Sequence, residues 1–246
     1  MPQRHLRGEP AIQSQAAVAV DLYLLHTPGL AMDALATVEL DAEERTRAES
    51  FVHGRDRIAY TAAHVALRRL LGRELGRPAH TVEFARLPCP CCGEPHGRPV
   101  VPDAPAELHF SLSHGGELIL IGLAGATLGV DVEPEPGQDA LNDLVIGLHP
   151  AEQAELAAVG GSLGRDFAEL WTRKEAYLKG LGSGLGRDLR LDYLGTRTPA
   201  LRPPGWTVAN LAPKYLAAAP GHSAAYALAA PARQVAVHQL APDFVQ

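Results

Sequence analysis

The sequence predicts an α+β fold built from two similar α/β halves. Two observations carry that expectation. Residues 16–125 and residues 126–246 each read as one long helix that feeds a set of strand-length apolar runs. A weak internal echo also links them: Phe51-x-x-x-Arg55-Asp56-x-x-x-Tyr60 in the first half, Trp171-x-Arg173-Lys174-Glu175-Ala176-Tyr177 in the second. The chain has 246 residues, enough for one large domain or two of about 120 residues. With 46% hydrophobic and 20% charged residues, it has the composition of an ordinary protein with a sizeable core.

In the first half, Val18 to Leu25 is an apolar run of strand length. Asp41 is placed as a helix N-cap, with Glu43 and Glu44 in the first turn where the helix dipole favours acids. Helical spacing runs through Ala48, Phe51 and Val52, breaks near Gly54, and resumes from Ile58 to about Leu75-Gly76. Thr81 to Leu87 is expected as a short strand. Pro88 to Pro99 is a loop that holds four prolines and all three cysteines. Leu108–Ser113 and Leu118–Leu123 read as strands joined through His114-Gly115-Gly116.

In the second half, Thr127 to Glu133 reads as a strand that Pro134–Gly137 ends. Ala140–Leu148, Pro150–Val159 and about Arg165–Gly180 are helical. Later strands are expected at Leu189–Leu194, Trp206–Leu211, Ala224–Ala229 and Gln234–Leu240. Thr196–Gly205, with three prolines, is the loop between the first two. Met1–Gln15 carries Arg4, Arg7 and Glu9 and no apolar core, so it is expected to be a flexible tail and not a secretory signal.

A net charge of −6 argues against general nucleic-acid binding, which needs a basic footprint. No run of 18 or more apolar residues occurs, so no membrane partner is expected. Only three cysteines, with no signal sequence, point to a cytoplasmic protein.

Two segments concentrate chemistry. In Gly129-Val130-Asp131-Val132-Glu133, Asp131 and Glu133 leave the same face of a strand, and paired carboxylates repel unless a cation sits between them. In Trp171-Thr172-Arg173-Lys174-Glu175-Ala176-Tyr177-Leu178-Lys179, Glu175 and Lys179 lie one helical turn apart. Together they suit Mg²⁺ gripping a pyrophosphate. Either pair alone is more often a solvated edge or a surface ion pair.

The order of motifs is more specific. Phe110-x-Leu112-Ser113-His114, then Gly129-Val130-Asp131-Val132-Glu133, then Trp171-x-x-Lys174-Glu175-Ala176-x-x-Lys179-Gly180-x-Gly182-x-Gly184-Leu185 resembles the 4′-phosphopantetheinyl transferase superfamily. It is most similar to the two-half monomeric, surfactin-synthetase-activating (Sfp) type. The resemblance runs from roughly Asp41 to Leu189. It implies two halves related by a pseudo-two-fold axis. It also implies transfer of the 4′-phosphopantetheine arm of coenzyme A to a Ser of acyl or peptidyl carrier proteins, with adenosine 3′,5′-bisphosphate leaving.

Residue by residue, the resemblance implies Asp131, Glu133 and Glu175 as ligands of Mg²⁺, or of Mn²⁺. Glu175 is also the general base, directly or through water, and Lys179 holds phosphate charge or assists the leaving group. Ser113 and His114 contact the coenzyme A phosphates. By the same resemblance Arg55 would be the cation for the 3′-phosphate and Arg98 a cation beside the phosphates, with Arg47 a third candidate. Lys174 points about 100° from Glu175 and is expected at another phosphate or at the carrier. Glu44 stands near where relatives carry a second basic residue.

The wider sequence keeps alternatives open. Cys89, Cys91, Cys92 and His96 fall within eight residues and could hold zinc, but only Cys89 and Cys92 have C-x₂-C spacing; ordinary reduced thiols are the favoured reading. Gly180-Leu181-Gly182-Ser183-Gly184 follows a helix instead of opening one, so it is neither a P-loop nor a dinucleotide fingerprint. Arg165, Arg173, Arg187 and Arg190 flank it as a basic patch for acidic carriers. The competing function is a non-catalytic coenzyme A binding protein on the same fold. A zinc-stabilised interaction module is a third reading.

Overall fold

The faces of the strands that are apolar set four layers in the order helix, sheet, sheet, helix. The computed structural model describes residues 16–158 and 160–246; the expected tail, residues 1–15, lies outside the described residues. The elements in order are β1 (Val18–His26), α1 (Ala42–Glu49), α2 (Gly54–Leu75), β2 (Ala85–Arg86), β3 (Pro99–Val100), β4 (His109–Gly115) and β5 (Leu118–Ala124). They continue as β6 (Leu128–Pro134), α3 (Gln138–Ile146), α4 (Pro150–Ala157), α5 (Leu163–Leu181), β7 (Thr207–Asn210), β8 (His222–Leu228) and β9 (Ala232–Leu240). One sheet has the order β4-β5-β1-β9 and the other β6-β8-β7.

Three apolar clusters bind the layers. Ala62, Ala66 and Leu70 of α2 meet Phe110, Ile119 and Ile121 on one face of the first sheet. The opposite face, with Leu22, Leu24 and Leu120, packs on Val130, Val132 and Tyr226 of the second sheet. The far face of that sheet, Val208, Ala225 and Ala227, takes Phe167, Ala176 and Leu178 of α5. β5 is apolar throughout because both of its faces are covered, Ile119 and Ile121 on one side and Leu118 and Leu120 on the other.

The two halves share a topology. In the first, β1 is followed by helices and then by β4 and β5, with β1 and β4 both antiparallel to β5. In the second, β6 is followed by helices and then by β7 and β8, with β6 and β7 both antiparallel to β8. The last strand departs from this pattern. β9 leaves β8 and joins the first sheet parallel to β1. Beyond it, Val245 is buried in the α2 cluster, and Arg69 donates to the carbonyls of Phe244 (2.7 Å) and Gln246 (3.0 Å).

A second correspondence lies in the helix starts. Asp41 and Glu44 form a capping box on α1: the Glu44 N–H donates to Asp41 Oδ1 (2.8 Å) and the Asp41 N–H to Glu44 Oε2 (2.9 Å). Glu44 then accepts from Arg68 of α2 (2.7 Å), and Arg68 also donates to Asp41 (2.7 Å) and to the Val82 carbonyl (2.8 Å). In the other half, the His149 N–H donates to Glu152 Oε2 (3.0 Å) at the start of α4. Glu152 accepts from Lys174 of α5 at 2.9 and 2.7 Å, and Lys174 donates to the Asp192 carbonyl (2.7 Å). Each half thus ties a short capped helix to its long helix by a buried cation.

Two strand expectations change. Thr81–Leu87 contributes only the two residues of β2. Leu189–Leu194 forms no strand. Its apolar Tyr193 and Leu194 are buried because its backbone serves the charge network: the Leu194 N–H donates to Glu152 Oε1 (2.6 Å), and the Leu194 carbonyl accepts from Arg173 (2.8 Å). Among the described residues, no helix is long and apolar enough to cross a membrane.

Because Glu152 is 0% exposed and Lys174 2% exposed, removing one partner strands a buried charge. Lys174→Met is expected to lower stability by roughly 3 kcal/mol or more, read as a fall in the urea midpoint. A midpoint within experimental error of the unmutated chain would contradict this role.

Candidate active site

The site forms where β4 of the first sheet meets β6 of the second. Alternation in Phe110-Ser111-Leu112-Ser113 sends Phe110 into the α2 core and both serines to the opposite face. Ser111 Oγ accepts from the Val130 N–H (3.0 Å), and Ser113 Oγ donates to Asp131 Oδ1 (2.8 Å). The two sheets are therefore joined at this edge through serine hydroxyls. Gly115 permits the approach, since a Cβ there would collide with the Val132 carbonyl and come within 3.1 Å of Glu133 Oε2.

α5 closes the site from the other side. A Cβ at Gly129 would collide with the Ala176 carbonyl and the Gly180 N–H, so only glycine lets α5 lie this close on β6. The consequence is that Lys179 reaches Asp131 Oδ1 at 2.6 Å and Ser113 Oγ at 2.8 Å. Asp131 is 1% exposed and its second oxygen, Oδ2, is buried with no hydrogen-bond partner.

Negative charge is crowded here. Burial, followed by the charges of Asp131 and Glu175, pushes the Glu133 carboxyl up to about 7 against the pull of Lys179. Burial and Asp131 likewise raise Glu175, again opposed by Lys179. Oxygen-only donors, an orphaned buried carboxylate oxygen and mutual repulsion fit a hard divalent cation. The three carboxylates are not gathered within 4.8 Å of one another, and the cation beside Asp131 is the Lys179 ammonium.

Beside this junction opens a cleft of about 1210 Å³ between α1, α2, the β2–β3 region and the end of α5, with Lys179 and Arg98 on its wall. Arg98 is half-buried and its Nη1 has no partner, so burial weakens its hold on its proton, and an anion would satisfy it. The C-cap of α5 holds it there: Gly182 packs against Arg98, where a Cβ would fall 3.1 Å from the Arg98 backbone nitrogen.

The structure brings together Ser113, Asp131, Glu133, Glu175 and Lys179, and sets Arg98 and Arg47 in the adjoining cleft. His114 lies at the rim, edge-on to Tyr60 with ring centroids 6.5 Å apart. The surrounding protein, followed by His64 and Lys179, keeps its imidazole below the ordinary range, so it is a neutral donor near pH 7. Two expectations are corrected. Lys174 faces away from the cleft into its pair with Glu152, because that buried carboxylate holds it. Arg55 is 85% exposed, pairs with Asp56 at 3.4 Å at the start of α2 and does not line the cleft. Glu44 is not a gap in a cationic set; it is the buried partner of Arg68 and His64.

Tyr60 and His64 were missed. They lie one turn apart on α2, stack at 4.1 Å and line the cleft, and His64 is held by Glu44 at 2.9 Å. Their i, i+4 spacing is the signal that could have found them. Arg86, whose guanidinium donates to the Gly97 carbonyl (3.2 Å), also faces the cleft.

Comparison with known proteins gives consistent results. Residues 127–229 match the family model described as the 4′-phosphopantetheinyl transferase superfamily. A phosphopantetheinyl transferase of a Thraustochytrium species is 30% identical over 192 residues, covering 70% of this chain and 64% of that protein. A 4′-phosphopantetheinyl transferase of Bacillus subtilis is 26% identical over 160 residues, covering 64% of this chain and 66% of its own. The 4′-phosphopantetheinyl transferase HetI of a Nostoc species is 29% identical over 182 residues, covering 71% and 74%. The chain thus spans just under two thirds of the length of the first two of these relatives.

The raised carboxyl of Glu133 predicts a stability effect. An unfolded Glu ionises near 4.3, while the folded carboxyl does so at about 7. As pH rises between these values the unfolded chain loses its proton first, so the fold loses stability, fully so above about 7. Below about 4 the difference vanishes. In EDTA, Glu133→Gln should therefore raise stability at pH 8 by on the order of 1 kcal/mol, discounted for partial exposure, and leave it unchanged at pH 4. Thermal melts at both pH values test this; destabilisation at pH 8 would contradict it.

Proposed function

We propose that this chain, whose residues 127–229 match the family model of the 4′-phosphopantetheinyl transferase superfamily, is an Sfp-type transferase. It moves the 4′-phosphopantetheine arm of coenzyme A to a Ser of acyl or peptidyl carrier proteins and releases adenosine 3′,5′-bisphosphate. The carriers would be those of polyketide, nonribosomal-peptide or fatty-acid synthases. In this reading the protein is a cytoplasmic monomer whose halves, residues 16–125 and 126–246, are related by a pseudo-two-fold axis.

The observation that carries the reading is the junction of Ser113, Asp131 and Lys179, flanked by Glu133 and Glu175, at the wall of a cleft that presents Arg98. Asp131, Glu133 and Glu175 would hold Mg²⁺, or Mn²⁺, which when bound neutralises pyrophosphate oxygens. Arg98 pairs with coenzyme A phosphate in the cleft, and Ser113 and neutral His114 donate to phosphate oxygens at its edge. Tyr60 and His64 offer a stacked aromatic wall. Lys179 stands where charge builds on the leaving phosphate.

The chemistry is positioning plus proton transfer. The carrier Ser oxygen bonds to the β-phosphorus of coenzyme A, and the bond from that phosphorus to the bridging oxygen breaks. Glu175 takes the Ser hydroxyl proton, directly or through water. Adenosine 3′,5′-bisphosphate leaves with the bridging oxygen.

Intact mass spectrometry of an apo carrier protein incubated with this protein, coenzyme A and Mg²⁺ tests the proposal. A gain of one phosphopantetheine mass, lost in EDTA, is expected. Glu175→Gln should slow the gain by about 10²-fold or more while coenzyme A binding persists. No gain with several carriers, despite coenzyme A binding, would overturn the proposal in favour of a binding protein.

A further inference from the structure

The loop from Pro88 to Gly97 takes no part in the junction, yet it holds the only group of three or more His, Cys, Asp or Glu side chains, among the described residues, whose ligand atoms lie within 4.8 Å of one another: Cys89, Cys92 and His96. Cys92 Sγ and His96 Nε2 are 3.0 Å apart. That is close to the roughly 3.5 Å edge of a tetrahedral zinc site with ordinary Zn–S and Zn–N bonds.

The backbone is shaped for the same purpose. The Gly93 N–H donates to the Cys89 carbonyl (2.8 Å) and the Cys89 N–H to the Glu94 carbonyl (2.8 Å), so the Cys89–Gly93 segment is a closed turn. Gly93 has φ +79°, the left-handed conformation that glycine adopts at no steric cost. The crowding that argues against zinc in the sequence is resolved by this turn. Cys89 and Cys92 come together through it, and His96 folds back onto Cys92.

We propose that Cys89, Cys92 and His96 bind a zinc ion, with Cys91 or a water as the fourth donor. Soft thiolates with an imidazole select zinc over Mg²⁺, so this site is chemically separate from the carboxylates of the junction. Its position gives it a consequence. His96 itself faces the cleft, and Arg98 is two residues on. The loop closes on itself where the Gly97 N–H donates to the Leu87 carbonyl (2.9 Å) and the Leu87 N–H to the Arg98 carbonyl (3.0 Å). Zinc would fix this loop and with it the placement of Arg98. The metal site does not depend on the transfer activity.

The test is zinc content of the untagged full chain after gel filtration in metal-free buffer. About one zinc per chain is expected, with an intense thiolate-to-cobalt absorption when Co²⁺ is substituted. Cys92→Ser and His96→Ala remove exposed side chains that no core cluster uses, so both should fold, with unchanged melting in EDTA, and should bind zinc at least tenfold more weakly. Absence of zinc even after incubation with ZnCl₂, undiminished zinc in the double variant, or a Cys89–Cys92 disulfide in the native protein would each overturn the proposal.

Discussion

The buried carboxylate of Asp131 constrains everything around it. It sits at 1% exposure between two sheets and cannot be left uncompensated. Ser113 from the first half and Lys179 from the second each satisfy the same oxygen. That requires β4 and β6 to lie edge to edge and α5 to lie close on β6. Gly115 and Gly129 are the residues that make both approaches possible. The other oxygen of Asp131 remains without a partner, and Glu133 is raised by burial and then by its acidic neighbours. The fold therefore holds a concentrated negative site together with one lysine and leaves room in its electrostatics for another cation.

The rest of the molecule keeps that arrangement rigid. Arg68 and Lys174 are buried cations that fasten each long helix to a capped short helix and to a following loop carbonyl. They place the helices on the outer layers while the shared apolar cluster of the two sheets fills the middle. β9 adds a further tie: it follows β8 of the second sheet but lies in the first, beside β1, so the chain's last strand completes the first sheet. A site built from both halves follows from this interdependence.

Much of this was legible in the sequence, for identifiable reasons. Periodicity located the long helices because one face of each is buried, and the central strands stood out as short continuous apolar runs because both faces of the sheets are covered. The strand pair Asp131/Glu133 and the helix pair Glu175/Lys179 were legible because strict 2-residue and 4-residue spacing fixes which side chains share a face. Lys174 was misplaced because adjacency to Glu175 says nothing about the buried Glu152 that captures it 22 residues away. Arg55 was expected at the 3′-phosphate from the family resemblance of Phe51-x-x-x-Arg55-Asp56, but the start of α2 carries it into solvent. Leu189–Leu194 read as a strand from its apolar residues, yet the Leu194 backbone bonds go to the side chains of Glu152 and Arg173. The internal echo of Phe51 and Trp171 does not mark equivalent places, since Phe51 lies between α1 and α2 and Trp171 lies inside α5; the capped glutamates Glu44 and Glu152 mark the shared pattern.

The proposed function rests on carboxylates from β6 and α5 forming one cation site at the edge of the cleft that Arg98 and Lys179 line. Anomalous scattering from crystals grown with coenzyme A and Mn²⁺ tests it most directly. A manganese peak bonded to Asp131, Glu133 and Glu175, with coenzyme A phosphates against Arg98 and Lys179, is the expected result. A manganese peak elsewhere, or coenzyme A outside the cleft with those carboxylates still free, would contradict it.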